Sequence, residues 1–283
     1  MAVRFLLYFF YLVMTTHGEE TAFGYHAKIG IPKATKLLMA ESMTRIIGGS
    51  AVSANTAHPH QAGLIALLTN RATSICGGSL ISNTRILTAA HCWDDGQNRA
   101  TQFTVILGST TIFTGGTRIV TKDVTVHANW NTQSVTNDIM IAKITSVTFS
   151  NSIQAIALPT AAEASLNFAG LTGTVAGYGK TKDAQSSFPT TTTLHSVNLP
   201  IITNAVCQSS FQMALHASHL CTSGAGAKGT CDGDSGGPLT VVSNNRLVQV
   251  GIVSFGLSDS CQSGHPSVYT RITSFLSWIS ANM

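Results

Sequence analysis

Gly229-Thr230-Cys231-Asp232-Gly233-Asp234-Ser235-Gly236-Gly237-Pro238-Leu239 sets a serine among glycines, an acid just before it and a cysteine four residues upstream. Glycine lets the backbone take conformations that a side chain forbids, so this string suits a nucleophile held on a tight turn. It also lets a substrate carbonyl come close to the main chain. The backbone N–H groups of Gly233 and Ser235 can then point at one spot and stabilise a developing oxyanion. A Gly/Ser surface turn is the plain alternative, and a lone G-x-S-x-G would leave it open. The longer string argues against it.

A serine is a weak nucleophile until a base takes its proton. Thr88-Ala89-Ala90-His91-Cys92 ends an apolar run and supplies a histidine; Asn137-Asp138-Ile139-Met140-Ile141-Ala142 supplies an acid that opens a strand-like run. With these motifs in the order His, Asp, Ser, the chain resembles the chymotrypsin family of serine endopeptidases from about Ile46 to its end. The resemblance implies that Ser235 attacks the scissile carbonyl, His91 carries the proton, and Asp138 fixes the imidazole and stabilises the imidazolium. It also sets Ser254 beside Asp138. The other nine histidines lack the Ala-Ala-His-Cys context, and Asp94 and Asp123 do not open an apolar strand after Asn as Asp138 does.

Of 283 residues, 44% are hydrophobic and 10% charged, with a net charge of +4. That is ample for a core and too apolar for a disordered chain. The small basic excess has no long run, which argues against nucleic acid as a partner. Met1 to Gly18 reads as a secretory signal: Arg4 is the positive start, Phe5 to Met14 the apolar run, and Thr16 and Gly18 offer a cleavage site. The run is about half of what a spanning helix needs, so no membrane anchor is expected. No N-x-Ser/Thr sequon occurs.

Six cysteines, an even count in a secreted chain, point to full pairing among 15 possible connectivities. Zinc spacing is lacking, and the Gly108 to Arg118 loop, where the resemblance to trypsin-like members would put a calcium site, holds no carboxylate, so no metal or cofactor is expected. The resemblance selects Cys76–Cys92, Cys207–Cys221 and Cys231–Cys261. It also marks Arg45-Ile46-Ile47-Gly48-Gly49 as an activation junction. Cleavage after Arg45 would free an ammonium on Ile46, which would insert and pair with Asp234, since a buried carboxylate is costly without a cation. Residues 19–45 would then be a propeptide without cysteine, removed by a trypsin-like activator.

Short alternating β-branched segments separated by Gly, Asn, Ser and Thr turns argue for an all-β barrel or sandwich. The resemblance implies two six-stranded antiparallel barrels, about 46–160 and 161–271, with the site in the cleft between them. Ile272, Phe275, Leu276 and Ile279 follow helical spacing and predict a terminal helix over 272–283, docked on the second barrel. Carried over by resemblance, Gly229 is the floor of the main specificity pocket, where trypsin-like members hold Asp. Gly229, Thr230, Gly256 and Ser267 make a neutral pocket of fair width suited to Phe, Tyr, Leu or Met. Ser254 and Phe255 lie on the strand that pairs with the substrate backbone. Asp232 stands at the rim and complicates this reading, because it could attract a basic side chain.

His58-Pro59-His60-Gln61-Ala62-Gly63 and Cys261-Gln262-Ser263-Gly264-His265-Pro266 make the chain similar to insect digestive chymotrypsin-like proteases of the moth midgut type. The expectation is a secreted, monomeric, zymogen-activated endopeptidase acting on protein or peptide substrates, open to protein inhibitors. A broad collagenolytic protease and a catalytically dead homologue that acts by binding are the alternatives.

Overall fold

Alternation of β-branched and small residues makes strands the dominant element. The computed structural model describes residues 24–26, 48–54, 56–180, 192–257 and 261–283. The leader at 1–18, most of the 19–45 segment, Arg45 and Ile46 lie outside the described residues. In chain order the strands are β1 (Ser50–Ala51), β2 (Gln61–Leu68), β3 (Thr73–Ser82), β4 (Arg85–Thr88), β5 (Ala100–Leu107), β6 (Thr117–Thr121), β7 (Val124–Val126), β8 (Met140–Lys143), β9 (Thr172–Gly177), β10 (His195–Ile202), β11 (His219–Thr222), β12 (Pro238–Ser243), β13 (Arg246–Phe255) and β14 (Ser267–Arg271). Among the described residues two helices follow strands of this set, α1 (Asn204–Gln208) and α2 (Leu276–Ala281).

The strands form two antiparallel sheets. The first runs β6-β5-β2-β3-β4-β8-β7; the second runs β1-β10-β11-β14-β13-β12-β9, with β9 also paired to β10. Each has seven segments where six strands are expected, for different reasons. In the first, β6 and β7 lie at opposite ends of the sheet yet are separated only by Lys122 and Asp123. The Asp123 N–H donates to Thr121 Oγ1 at 3.1 Å and turns the chain there, so one broken strand closes the barrel. In the second, the β9–β10 pairing closes a ring of six, and the two-residue β1 is appended to β10 through Ser50↔Ser196 and Ala51↔His195. The expected two-barrel, all-β architecture holds. Within the expected first-barrel span of 46–160, β1 pairs with β10 of the second sheet.

The last turn corrects another expectation. Ile272–Phe275 is a 3₁₀ turn that leads into α2. Ile272, Phe275 and Ile279 are buried with Leu80, Ile86, Phe103 and Ile141 of the first barrel, not in the core of the second. The Arg85 guanidinium donates to the Asn282 carbonyl at 3.1 Å, and the His127 ring contacts Phe275 and Trp278. Helical spacing names the face that is buried but is silent on what covers it. The first sheet left an apolar opening that this face fills, with each buried Leu, Ile or Phe contributing roughly 1.5–3 kcal/mol. A separate core of Val175, Leu199, Leu220, Leu239, Val250 and Tyr269 fills the second barrel. Three disulfides join Cys76–Cys92, Cys207–Cys221 and Cys231–Cys261.

Candidate active site

The site forms where the two barrels touch. β3 of the first barrel meets the serine turn of the second so closely that side chains are excluded: a Cβ on Gly77 would lie 2.9 Å from the Gly237 Cα, and one on Gly236 (φ +80°) would collide with Thr88 Oγ1 and the Gly77 carbonyl. The Gly77 N–H donates to the Ser235 carbonyl at 2.7 Å. Gly236-Gly237 after the serine is therefore a contact requirement between barrels as well as a turn requirement.

His91 sits on a 3₁₀ turn, Ala90–Cys92, that begins two residues after β4 ends, and the Cys76–Cys92 bond ties that turn to β3. Asp138 follows Asn137, whose backbone is left-handed (φ +60°). The left-handed residue swings the chain so that the Asp138 carboxylate faces the imidazole before β8 begins. Both Asp138 oxygens are engaged: the His91 backbone N–H donates to Oδ1 at 2.9 Å, His91 Nδ1 lies 2.8 Å from Oδ2, and the Ser254 hydroxyl donates to Oδ2 at 2.6 Å. Thr270 Oγ1 donates to the Asp138 carbonyl at 2.7 Å. His91 and Asp138 are fully buried. Burial alone would raise the carboxyl's pKa, but the His91 charge and the hydrogen bonds from His91 and Ser254 outweigh it, and the group is held below its usual value. The outcome is an imidazole with one nitrogen committed to an ionised acid and the other free to serve a proton donor.

Ser235 lies on the turn between Cys231 and β12, with Gly233 at φ +95°. Behind it the Asp234 carboxylate is fully buried and accepts from the N–H groups of Gly179 (2.8 Å) and Cys231 (3.0 Å). A Cβ on Gly177 or Gly179 would strike that carboxylate, so the Gly177-Tyr178-Gly179 run is the wall of its cavity. Among the described residues no hydrogen bond joins Ser235 to His91, and the Tyr25 ring packs edge-on against the His91 imidazole.

Beside the serine, Gly229 faces Ser267: an added Cβ at Gly229 would lie 3.2 Å from Ser267 Oγ, and Ser267 Oγ accepts from the Thr230 N–H at 3.3 Å. A Cβ on Gly256 would meet nothing within 4 Å, so that wall is open. Gly229, Thr230, Ser254, Phe255, Gly256 and Ser267 carry no charge. Asp232 is paired with Lys180, Nζ to Oδ2 at 2.9 Å, with both side chains mostly buried, and the Lys180 N–H also donates to the Asp232 carbonyl.

Two clusters of ligating residue types occur among the described residues, Cys76 with His91 and Cys92, and Cys231 with Asp232 and Cys261. In both, the sulfurs are committed to disulfides and are not thiolates. Sequence reasoning missed Tyr25, His26, Lys180 and Thr270. Lys180 and Thr270 lie far along the chain from the groups they touch, with no local pattern to mark them. Tyr25 and His26 fell in a segment read only as a propeptide.

Residues 46–279 match the family model described as Trypsin. A protein named collagenase from Hypoderma lineatum is 35% identical over 225 residues, covering 79% of this chain and 82% of that one. A protein named chymotrypsin from Phaedon cochleariae is 38% identical over 208 residues, covering 72% and 70%. A solved structure titled HL collagenase aligns with a TM-score of 0.76 at 32% identity, covering 84% of this chain and 98% of that one.

Proposed function

The chain belongs to the trypsin family of serine proteases, and on that premise we propose that it is a secreted, zymogen-activated endopeptidase that cuts after large apolar residues. The observation that carries the catalytic assignment is the chain of hydrogen bonds from Ser254 through Asp138 to His91, with Ser235 on the adjoining turn. In this reading Ser235 Oγ attacks the carbonyl carbon of the scissile bond while His91 Nε2 takes its proton. The resulting oxyanion is met by the N–H groups of Gly233 and Ser235. His91 then protonates the leaving amine, leaving an acyl-enzyme that water cleaves by the same route. Asp138 keeps the imidazole in the tautomer that makes Nε2 the base. Cleavage after Arg45 by a trypsin-like protease would generate the Ile46 ammonium for Asp234.

The specificity proposal rests on charge. Gly229, Gly256 and Ser267 give a neutral, open pocket. Asp232, the rim carboxylate that would favour Lys or Arg, already has a cation in Lys180. A partly exposed pair of this kind adds little to stability, under about 1 kcal/mol, but it leaves the rim without net charge. Relatives carry both collagenase and chymotrypsin names, and the Lys180–Asp232 pair favours the narrower, apolar specificity.

The test is cleavage of a peptide library by protein cut at Arg45 with trypsin and repurified, with Ser235→Ala as the blank. Cuts after Phe, Tyr, Leu and Met are expected. The Lys180→Met variant should gain cuts after Arg and Lys several-fold, because Asp232 is then uncompensated. Dominant cuts after Arg or Lys by the unsubstituted protein would overturn the pocket assignment, and no cuts above the blank would overturn the endopeptidase reading.

A further inference from the structure

Gly24-Tyr25-His26, a piece of the segment ahead of Arg45, is seated in the cleft. Tyr25 is 1% exposed and His26 fully buried. The Tyr25 ring stands edge-on to the His91 imidazole, 4.9 Å between centroids at 64°. Its hydroxyl donates to the Ile75 carbonyl at 2.6 Å, and burial raises the phenol's pKa against the opposing effect of the nearby Ser235 and Gly233. Ser235 and the Gly233 N–H are the groups assigned above to the substrate's attacked carbonyl.

The neighbours of Tyr25 are fixed as firmly. The Gly24 N–H donates to the Asp95 carbonyl at 2.9 Å and the His26 N–H to Asp95 Oδ2 at 2.5 Å. Gly24 has φ +73°, and a Cβ there would lie 2.7 Å from Gln97 Oε1. The receiving loop is itself held in shape: Asp95 Oδ1 accepts from the N–H groups of Gln97 and Asn98 at 2.8 and 2.6 Å. Burial lowers the His26 pKa to about 4, so the imidazole is seated as the neutral ring.

We propose that the floor made by Ile75, His91 and Asp95 is a binding site for an aromatic peptide side chain, and that its resident ligand is Tyr25 of this chain's own prosegment, which blocks the site as an inhibitor. The inference rests on the protease reading for its consequence, though not for its contacts. The chemistry explains why Tyr25 inhibits and is not cut there. What the prosegment brings beside His91 is a phenol oxygen on an aromatic carbon. It offers no acyl carbon for Ser235 to attack and no leaving amine for His91 to protonate. The Tyr25 ring also stands edge-on against the imidazole that Ser235 needs as its base.

The test uses the full chain cut at Arg45 and separated from its prosegment, with fluorescein-labelled synthetic peptides of residues 19–45. Anisotropy reads binding, initial rates on a Phe-containing peptide substrate read inhibition, and mass spectrometry verifies that the peptide stays intact at Tyr25. The natural peptide is expected to bind and to inhibit competitively. The Tyr25→Ala peptide should bind at least tenfold more weakly, and protein blocked at Ser235 by an organophosphonate should not bind the natural peptide. Because the substitution is in the peptide, folding of the enzyme is unaffected. Equal binding of the two peptides, or no binding by either at millimolar concentration, overturns the proposal. Binding as expected by a protein that cuts nothing would uphold the site while overturning the protease reading.

Discussion

Asp138 is a fully buried charge, and it stays charged because three donors point at it. Its pKa is depressed, so its contribution to folding is present above the ordinary carboxylate range and is lost only as pH falls through the lower folded value. Asp138→Asn should lower kcat by about 10⁴, the magnitude known for this family's triad and not one obtained from these distances. Ser254→Ala removes a hydrogen bond to a charged group, worth about 1.5–3 kcal/mol. It should cost at least about tenfold in kcat with KM nearly unchanged, measured on one peptide substrate. A loss confined to KM would mean that Ser254 serves substrate binding and not the acid. His91, Asp138 and Ser235 were legible because each sits inside a local string whose neighbours are demanded by the same geometry: the left-handed Asn137, the small Ala89-Ala90, the crowded Gly236-Gly237. Lys180 and Tyr25 were illegible because a lone cation or ring carries no periodicity, and their partners lie at Asp232 and at Ile75 and His91.

Between the barrels the chain is pinned by one short element. The 3₁₀ turn Ala161–Glu163 begins with a capping box: Glu163 Oε2 accepts from the Thr160 N–H and hydroxyl at 2.8 and 2.9 Å. The same carboxylate accepts from Ser243, Asn244 and Arg246 in the β12–β13 hairpin. The hydrogen bond from the Thr160 backbone, then those from Ser243 and the Thr160 side chain, with the Arg246 charge, lower its pKa from 4.5 to about 2. A depressed carboxylate stabilises above its unfolded pKa and stops doing so as pH falls through the folded one. Glu163→Gln should therefore lower Tm by about 2–4 °C at pH 7, and the difference from the unsubstituted protein should shrink as pH is taken from 4.5 toward 2. A difference independent of pH would mean that packing, not charge, is what Glu163 supplies. Elements of this kind were only partly readable from the chain. Strands were evident from alternation, but the break between β6 and β7 depends on the curvature needed to close a barrel, which no local window of sequence contains.

The two barrels share more than a cleft. Ile252 of β13 and the residues of the last helix are buried in one cluster with the core of the first barrel, so neither half can lose its packing alone. Ile279, 2% exposed, should cost about 2–5 kcal/mol when cut to Ala. The unfolding of Ile279→Ala, followed by calorimetry, is expected to remain a single transition at lower temperature. Two separated transitions would show that the helix is a local patch and not a joint. The described cysteines are all paired within 76–261, so no disulfide holds Tyr25 near the site once the chain is cut after Arg45. Before the cut, covalent attachment presents the plug at an effective concentration of order millimolar; afterwards it is present only at the concentration of the protein itself. If Arg45 is the activation site and Tyr25 the inhibitor proposed above, a crowded store of the chain that is accidentally nicked would stay largely silent, its fragments re-occupying one another's clefts. The same material released into a larger volume would switch on without any further reaction, with the space around the enzyme acting as the trigger.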